Sequence, residues 1–184
     1  MSEADAADEV PLEQRPLAPE PLEPQQLTPA ERRRALRSLM LDARIALLSE
    51  IGARALTDHL ARRVRDVELR RLAVGLNEEG VALVAEVQQL IRDMGGSPRR
   101  TSLRRRALAR ILVTSRHVVG LRTVLRLLQH QEETLSRWYG EYAVFLARIG
   151  EPVRATSFEV LRATKLRRAQ AVGTWVSNMA RRMR

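Results

Sequence analysis

Cysteine is absent from the 184-residue chain, which excludes disulfides, thiolate metal sites and cysteine nucleophiles. No apolar run approaches the roughly 18 residues that a membrane span needs. The first ten residues are acidic and therefore unlike a secretory signal peptide, so a cytoplasmic location is the expectation. Strand signals are missing too, and aromatic residues make up only 3% of the chain. Together these absences favour an all-α protein.

Arginine supplies nearly all of the positive charge. The chain has 32 lysines and arginines against 22 aspartates and glutamates, a formal net charge of +10, and Lys165 is its single lysine. Residues 1–30 hold seven acids, one base and six of the eight prolines. Since this segment carries −6, the other 154 residues carry +16. Proline-rich, charged sequence without aromatics buries too little apolar area to fold alone. Residues 1–27 are therefore predicted to be a disordered acidic tail, and residues 28–184 a folded domain.

Capping signals mark the first two helices of this domain. Thr28-Pro29-Ala30-Glu31 combines a threonine N-cap, a proline in the first turn and a glutamate three residues after the cap. This capping box predicts a helix over about residues 29–64. Asp66 can cap a second helix, which Gly95-Gly96 ends.

Similar signals predict two more helices. The third is expected from about residue 116 or 120 to residue 149, where Gly150-Glu151-Pro152 ends it. A second capping box, Thr156-Ser157-Phe158-Glu159, predicts the start of a fourth helix, which runs to about residue 179. The link over residues 95–120 is long enough for a crossover and is expected to contain a short helix.

Apolar periodicity indicates how the four helices pack. A seam with alternating spacings of four and three residues recurs 82 positions later, from the first helix to the third, and another recurs 85 positions later, from the second to the fourth. This predicts a helix pair used twice, each pair antiparallel. The seams are Leu39, Ala43, Ala46, Glu50, Ala53, Thr57, Leu60 and Val64; Ala73, Leu76, Gly80, Leu83, Val87, Leu90 and Met94; Leu121, Leu125, Leu128, Glu132, Leu135, Tyr139, Tyr142 and Leu146; Phe158, Leu161, Lys165, Arg168, Val172, Trp175 and Met179. The fourth helix also permits a less apolar register through Leu166, Ala169 and Val176.

The seams of the first and third helices each contain one carboxylate, Glu50 and Glu132. A carboxylate inside a bundle is costly unless something compensates its charge. Some helical bundles do so with two metal ions, held by one glutamate from each of two helices and a Glu-x-x-His motif from each of the other two. The spacing of the two glutamates makes such a site the first possibility to weigh.

Several short motifs accompany these glutamates: Asp66-Val-Glu-Leu69, Val84-Ala-Glu-Val-Gln-Gln-Leu-Ile-Arg-Asp-Met-Gly-Gly96, Leu108-Ala-Arg-Ile-Leu-Val-Thr-Ser-Arg-His117, and Gln131-Glu132 followed by Tyr139. Over roughly residues 35–180 the chain thereby resembles the ferritin-like superfamily. It is most similar to a bacterial ferritin-like domain family of unknown function, related to rubrerythrin and bacterioferritin. The resemblance implies a ferritin-like four-helix bundle with a long crossover between the second and third helices.

The positions that would hold the Glu-x-x-His motifs contain neither glutamate nor histidine. They read Gly80-x-x-Leu83 and Lys165-x-x-Arg168, so the di-metal site implied by the resemblance is degenerate. Glu50 and Glu132 together with Lys165 and Arg168 are electrically neutral, and two divalent cations among them would leave a large uncompensated charge. The sequence therefore predicts a buried ion-pair cluster of these four residues, with no metal or other cofactor and no catalytic group.

On this interpretation the chain is a non-catalytic structural or interaction module, whose partner is a second copy or another protein. One alternative is a metal-binding oxidoreductase or an iron-handling protein, in which Glu50 and Glu132 bind iron or another divalent metal with other acids. The candidate acids are Glu78, Glu79, Glu86 and Glu133. His59, His117 and His130 form no ligand pattern with the two glutamates.

A second alternative is a basic nucleic-acid-binding bundle. An anionic membrane surface is a less favoured partner. The arginines that would form the basic surface are Arg99, Arg100, Arg104, Arg105, Arg106, Arg181 and Arg182. A bias towards arginine also arises from genome composition, so many of these side chains are expected to be ordinary solvated residues.

Overall fold

The computed structural model describes residues 27–98 and 120–182, and this part of the chain is helical with no strand. The elements are α1 (Pro29–Arg63), α2 (Val67–Asp93), α3 (Leu121–Arg148) and α4 (Pro152–Arg182). The all-α prediction and the count of four long helices are thus confirmed for the described ranges. None of these four helices is long and apolar enough to cross a membrane.

Some of the predictions lie outside the described residues. These are the disordered tail up to residue 26, the short helix within the crossover, and the five arginines from Arg99 to Arg106. Arg181 and Arg182 end α4, but the description of side chains stops at residue 179. The structure therefore does not test the predicted basic surface.

Both caps predicted for the first two helices form. Thr28 Oγ1 accepts a hydrogen bond from the Glu31 backbone N at 3.3 Å, and the Glu31 carboxylate accepts one from the Thr28 backbone N at 2.8 Å. Asp66 Oδ1 accepts from the Leu69 backbone N at 2.9 Å. The N-terminal amides that lack partners within each helix are thereby partly satisfied, and α1 and α2 begin where the sequence predicts.

The predicted start of the fourth helix is wrong. α4 begins at Pro152, and Thr156 lies inside it, where its hydroxyl donates to the Pro152 carbonyl at 3.1 Å. Proline lacks an N–H and has a fixed φ, so it suits the first turn of a helix as well as the position after one. The turn from α3 to α4 is correspondingly short, with Gly150 at a φ of +76°.

The four helices pack as two antiparallel pairs, α1 with α2 and α3 with α4, while α1 also contacts α3 and α2 contacts α4. The beginning of α1 shares a core cluster with the ends of α2 and α3 and the beginning of α4. The other cluster joins the end of α1 to the beginnings of α2 and α3. The chain therefore leaves α2 at one end of the bundle and enters α3 at the other, so a long crossover connects them.

The predicted seams form the core. Leu166, which belongs to the alternative register of α4, is 43% exposed, so the register through Lys165 and Arg168 is the one adopted. Nearly all seam residues are buried; the exceptions are half-buried and lie mostly near helix ends: Met94, Leu121, Tyr142, Trp175 and Met179. The core thus comprises two apolar clusters, with the charged seam positions between them.

A buried charge cluster between the four helices

Four ionised side chains meet in the middle of the bundle. Glu50 comes from the centre of α1, Glu132 from the centre of α3, and Lys165 and Arg168 from successive turns of α4. Each is at most 1% exposed. We call these four residues the charge cluster. They are the same four residues that the sequence analysis groups, and the structure brings all of them together.

Lys165 links the two glutamates. Its Nζ lies 2.6 Å from Glu50 Oε2 and 2.8 Å from Glu132 Oε2. One ammonium group therefore bridges carboxylates from two different helices. Because its three donors have no partner in an apolar interior, a buried ammonium is tolerated only with such close acceptors.

Arg168 holds Glu132 from the other side and reaches the fourth helix. Its Nε and Nη2 donate to Glu132 Oε2 and Oε1, each at 3.0 Å, in a bidentate pair. Its Nη1 donates to the Leu76 carbonyl of α2 at 2.7 Å. At the edge of the cluster, Nη1 also lies 3.5 Å from Glu79 Oε2, on a side chain that is 41% exposed. The guanidinium thus connects α4 to both α3 and α2.

Tyr139 completes the network, and the sequence analysis assigns it only to the apolar core. Its hydroxyl donates to Glu50 Oε1 at 2.7 Å, so every carboxylate oxygen of Glu50 and Glu132 has at least one partner. The signal for this contact is the position of Tyr139 on the seam of α3, two turns after Glu132. In an antiparallel α1–α3 arrangement, that position is close to Glu50.

The pKa values reflect this pairing. Burial raises the pKa of Glu132, but the charges and hydrogen bonds of Lys165 and Arg168 outweigh it and hold that pKa below its ordinary value. Burial lowers the pKa of Arg168, and Glu132 outweighs this effect to raise it. Burial and then the charge of Glu50 raise the pKa of the Tyr139 hydroxyl well above its ordinary value, so it remains a donor. The network is therefore stable with both carboxylates ionised.

A di-metal centre does not fit this arrangement. A lysine nitrogen lies between the two carboxylates, and Arg168 Nη2 is 3.9 Å from the point where a Cβ on Gly80 would stand. Within residues 27–98 and 120–179, no group of three or more metal-binding acids or histidines converges. Two carboxylates already neutralised by two fixed cations have no charge left for hard divalent ions.

The other candidate acids lie at the surface. Glu79 pairs with Arg167 at 3.0 Å, and Glu133 accepts a hydrogen bond from Gln129 at 2.9 Å. Glu78 and Glu86 are exposed on α2. None of them joins Glu50 and Glu132, so the described residues do not assemble the ligand set of the metal-binding alternative.

Among known proteins, the chain matches no protein-family model, no curated protein and no solved structure. What the site can do is therefore argued from its own geometry. A neutral, fully hydrogen-bonded network that joins four helices and is closed to solvent can fix their arrangement, and it presents no group to a substrate.

Proposed function

We propose that the chain is a ferritin-like bundle which acts as a non-catalytic structural or interaction module, with the charge cluster in place of a di-metal site. The observation that carries this proposal is the position of Lys165 Nζ, 2.6 Å from one glutamate and 2.8 Å from the other. The ammonium group stands between the two carboxylates that, in the site implied by the resemblance, would bridge the metals.

Electrostatics supports the same conclusion. Glu50 and Glu132 contribute −2 and Lys165 and Arg168 contribute +2, so the core carries no net charge when all four are ionised. Entry of a divalent cation would require Lys165 to leave its two acceptors. Separating a buried pair in this way costs about 3–5 kcal/mol, because one charge remains uncompensated.

Metal analysis of the full chain tests the proposal. Protein purified without chelator should contain no stoichiometric iron, manganese or zinc. Its thermal midpoint should be the same in chelator and in excess of each metal, since only a ligand that binds the folded state raises it.

The double variant Lys165→Glu/Arg168→His provides the matched control, because it restores one Glu-x-x-His slot beside Glu50 and Glu132. Its midpoint should rise in the presence of metal. The proposal is wrong if the unaltered chain carries about one metal ion or more per chain, or if metal stabilises it as strongly as it stabilises the variant.

A further inference from the structure

One face of the bundle combines exposed apolar residues with exposed arginines. Leu41 and Ile45 of α1 are 56% and 49% exposed, although both are large and aliphatic. Trp138 of α3 is partly buried and packs against the core beneath them. Arg34 and Arg37 lie one and two turns earlier on the same side of α1. We call these five residues the α1–α3 face.

Helical register places both contributions to this face on one side of the molecule. Gln131 Nε2 donates to the Ser49 carbonyl at 2.7 Å, which marks where α1 and α3 meet. Ile45 and Leu41 lie one and two turns before Ser49, and Trp138 lies two turns after Gln131. Because the two helices are antiparallel, these turns come side by side.

The charges on this face fit an acidic partner. The first three turns of α1 contain four exposed arginines, and none of them forms an ion pair with any residue in the described ranges. They are Arg32, Arg33, Arg34 and Arg37. The acids Asp42 and Glu141 lie further along, near Tyr142. The face is thus positive at the beginning of α1 and apolar one to two turns beyond it.

The chain itself supplies a segment with the complementary composition, residues 1–26. This segment carries −6 and contains leucines at a five-residue interval, Leu12, Leu17 and Leu22, each of which follows a proline. The next member of the series is Leu27, which the structure describes and which packs against the core cluster at the beginning of α1. The one described member of the leucine series therefore already contacts the bundle beside the arginines.

We propose that residues 1–26 dock in cis on the α1–α3 face, with their carboxylates on Arg34 and Arg37 and their leucines on Leu41, Ile45 and Trp138. The reach is sufficient. Ten extended residues from Leu27 back to Leu17 cover about 33 Å, whereas Thr28 and Ile45 are about 26 Å apart along the helix. A short tether gives an effective concentration on the order of millimolar, so weak contacts are enough to hold the segment.

The absence of cysteine makes a disulfide test direct in the full-length chain. Leu17→Cys is combined either with Ile45→Cys or with the control Val160→Cys, and the rate of intramolecular bridging is measured under mild oxidation. Val160 is 53% exposed and lies five residues before Lys165, just as Ile45 lies five residues before Glu50. The two target sites therefore match in exposure and in height along the bundle, but they lie on different helices.

We expect the Ile45→Cys pair to bridge about tenfold faster than the Val160→Cys pair, and adding Arg34→Glu/Arg37→Glu should remove most of that advantage. Equal rates for the two pairs would overturn the proposal. So would bridging mainly between two chains, because the occupant of the face would then be a second copy. An advantage unaffected by the arginine reversals would contradict the assigned charge pairing. None of these outcomes depends on whether the charge cluster binds metal.

Discussion

At the scale of single residues, Glu132 has the most demanding position. It is fully buried, and its two oxygens accept from Lys165 Nζ and from Arg168 Nε and Nη2 at 2.8–3.0 Å. Removing its charge would leave two buried cations with Glu50 as their only buried carboxylate. The loss is asymmetric, because stranding a buried charge costs more than its pair contributes.

Glu132→Gln should lower the free energy of unfolding by about 3–5 kcal/mol, since it strands a buried cation. Chemical denaturation of the two proteins measures the difference. The adjacent Glu133→Gln is the control: Glu133 is exposed, so its change should stay within about 0.5 kcal/mol. Equal losses at the two positions would contradict the assigned pairing.

The lowered pKa of Glu132 also predicts how stability depends on pH. A carboxyl whose pKa is lower in the folded state stabilises the protein fully above its ordinary pKa. That contribution is lost as pH falls through the folded-state pKa, because the unfolded chain binds the proton first. Between about pH 5 and pH 2, stability should fall less steeply in Glu132→Gln than in the unaltered chain, as followed by denaturation at a series of pH values. Glu133→Gln should retain the original slope.

At the scale of helices and turns, two glycines predict opposite outcomes for one chemical change. Gly75 lies inside α2 with open space where a Cβ would stand, whereas Gly150 has a φ of +76° in the turn before α4. Gly75→Ala should stabilise by about 0.5–1 kcal/mol, since alanine favours a helix interior. Gly150→Ala should destabilise by about 1–2 kcal/mol, since side chains disfavour that backbone region. Thermal unfolding measures both, and shifts of the same sign would contradict the assignment.

The helices were predictable because their signals are local. The Thr28 box, the Asp66 cap and the seams all depend on residues within a few turns of one another. The error at Thr156 has the same origin: its sequence pattern also occurs inside a helix, where the hydroxyl bonds to the carbonyl four residues earlier. Whether Pro152 ends one helix or begins the next is decided by the tertiary turn.

The charge cluster was only partly predictable for a related reason. Periodicity places Glu50, Glu132, Lys165 and Arg168 on inward seams. The contacts of Tyr139 with Glu50 and of Arg168 with the Leu76 carbonyl depend on how helices far apart in sequence align. Long side chains also choose their partners by rotamer, and spacing along one helix does not determine that choice.

At the scale of the whole molecule, the charge cluster is a better candidate for fixing the arrangement of helices than for stabilising it. Replacing a complete buried ion pair with apolar residues is often neutral or stabilising. A variant with all four charges replaced by leucine or methionine, together with Tyr139→Phe, should unfold at a denaturant concentration equal to or above that of the unaltered chain. A loss of several kcal/mol would show instead that the intact network is a net stabiliser.

The hydrogen bond from Gln131 to Ser49 joins two residues separated by 82 positions, the same interval that relates the seams of α1 and α3. The two hairpins are therefore built alike where they meet, yet they are not interchangeable. Two copies of the first hairpin would set one Glu50 against another with no base between them, and two copies of the second would crowd four bases around two acids. Only the unlike pair is neutral, so electrostatics makes this bundle a heterodimer of hairpins within one chain.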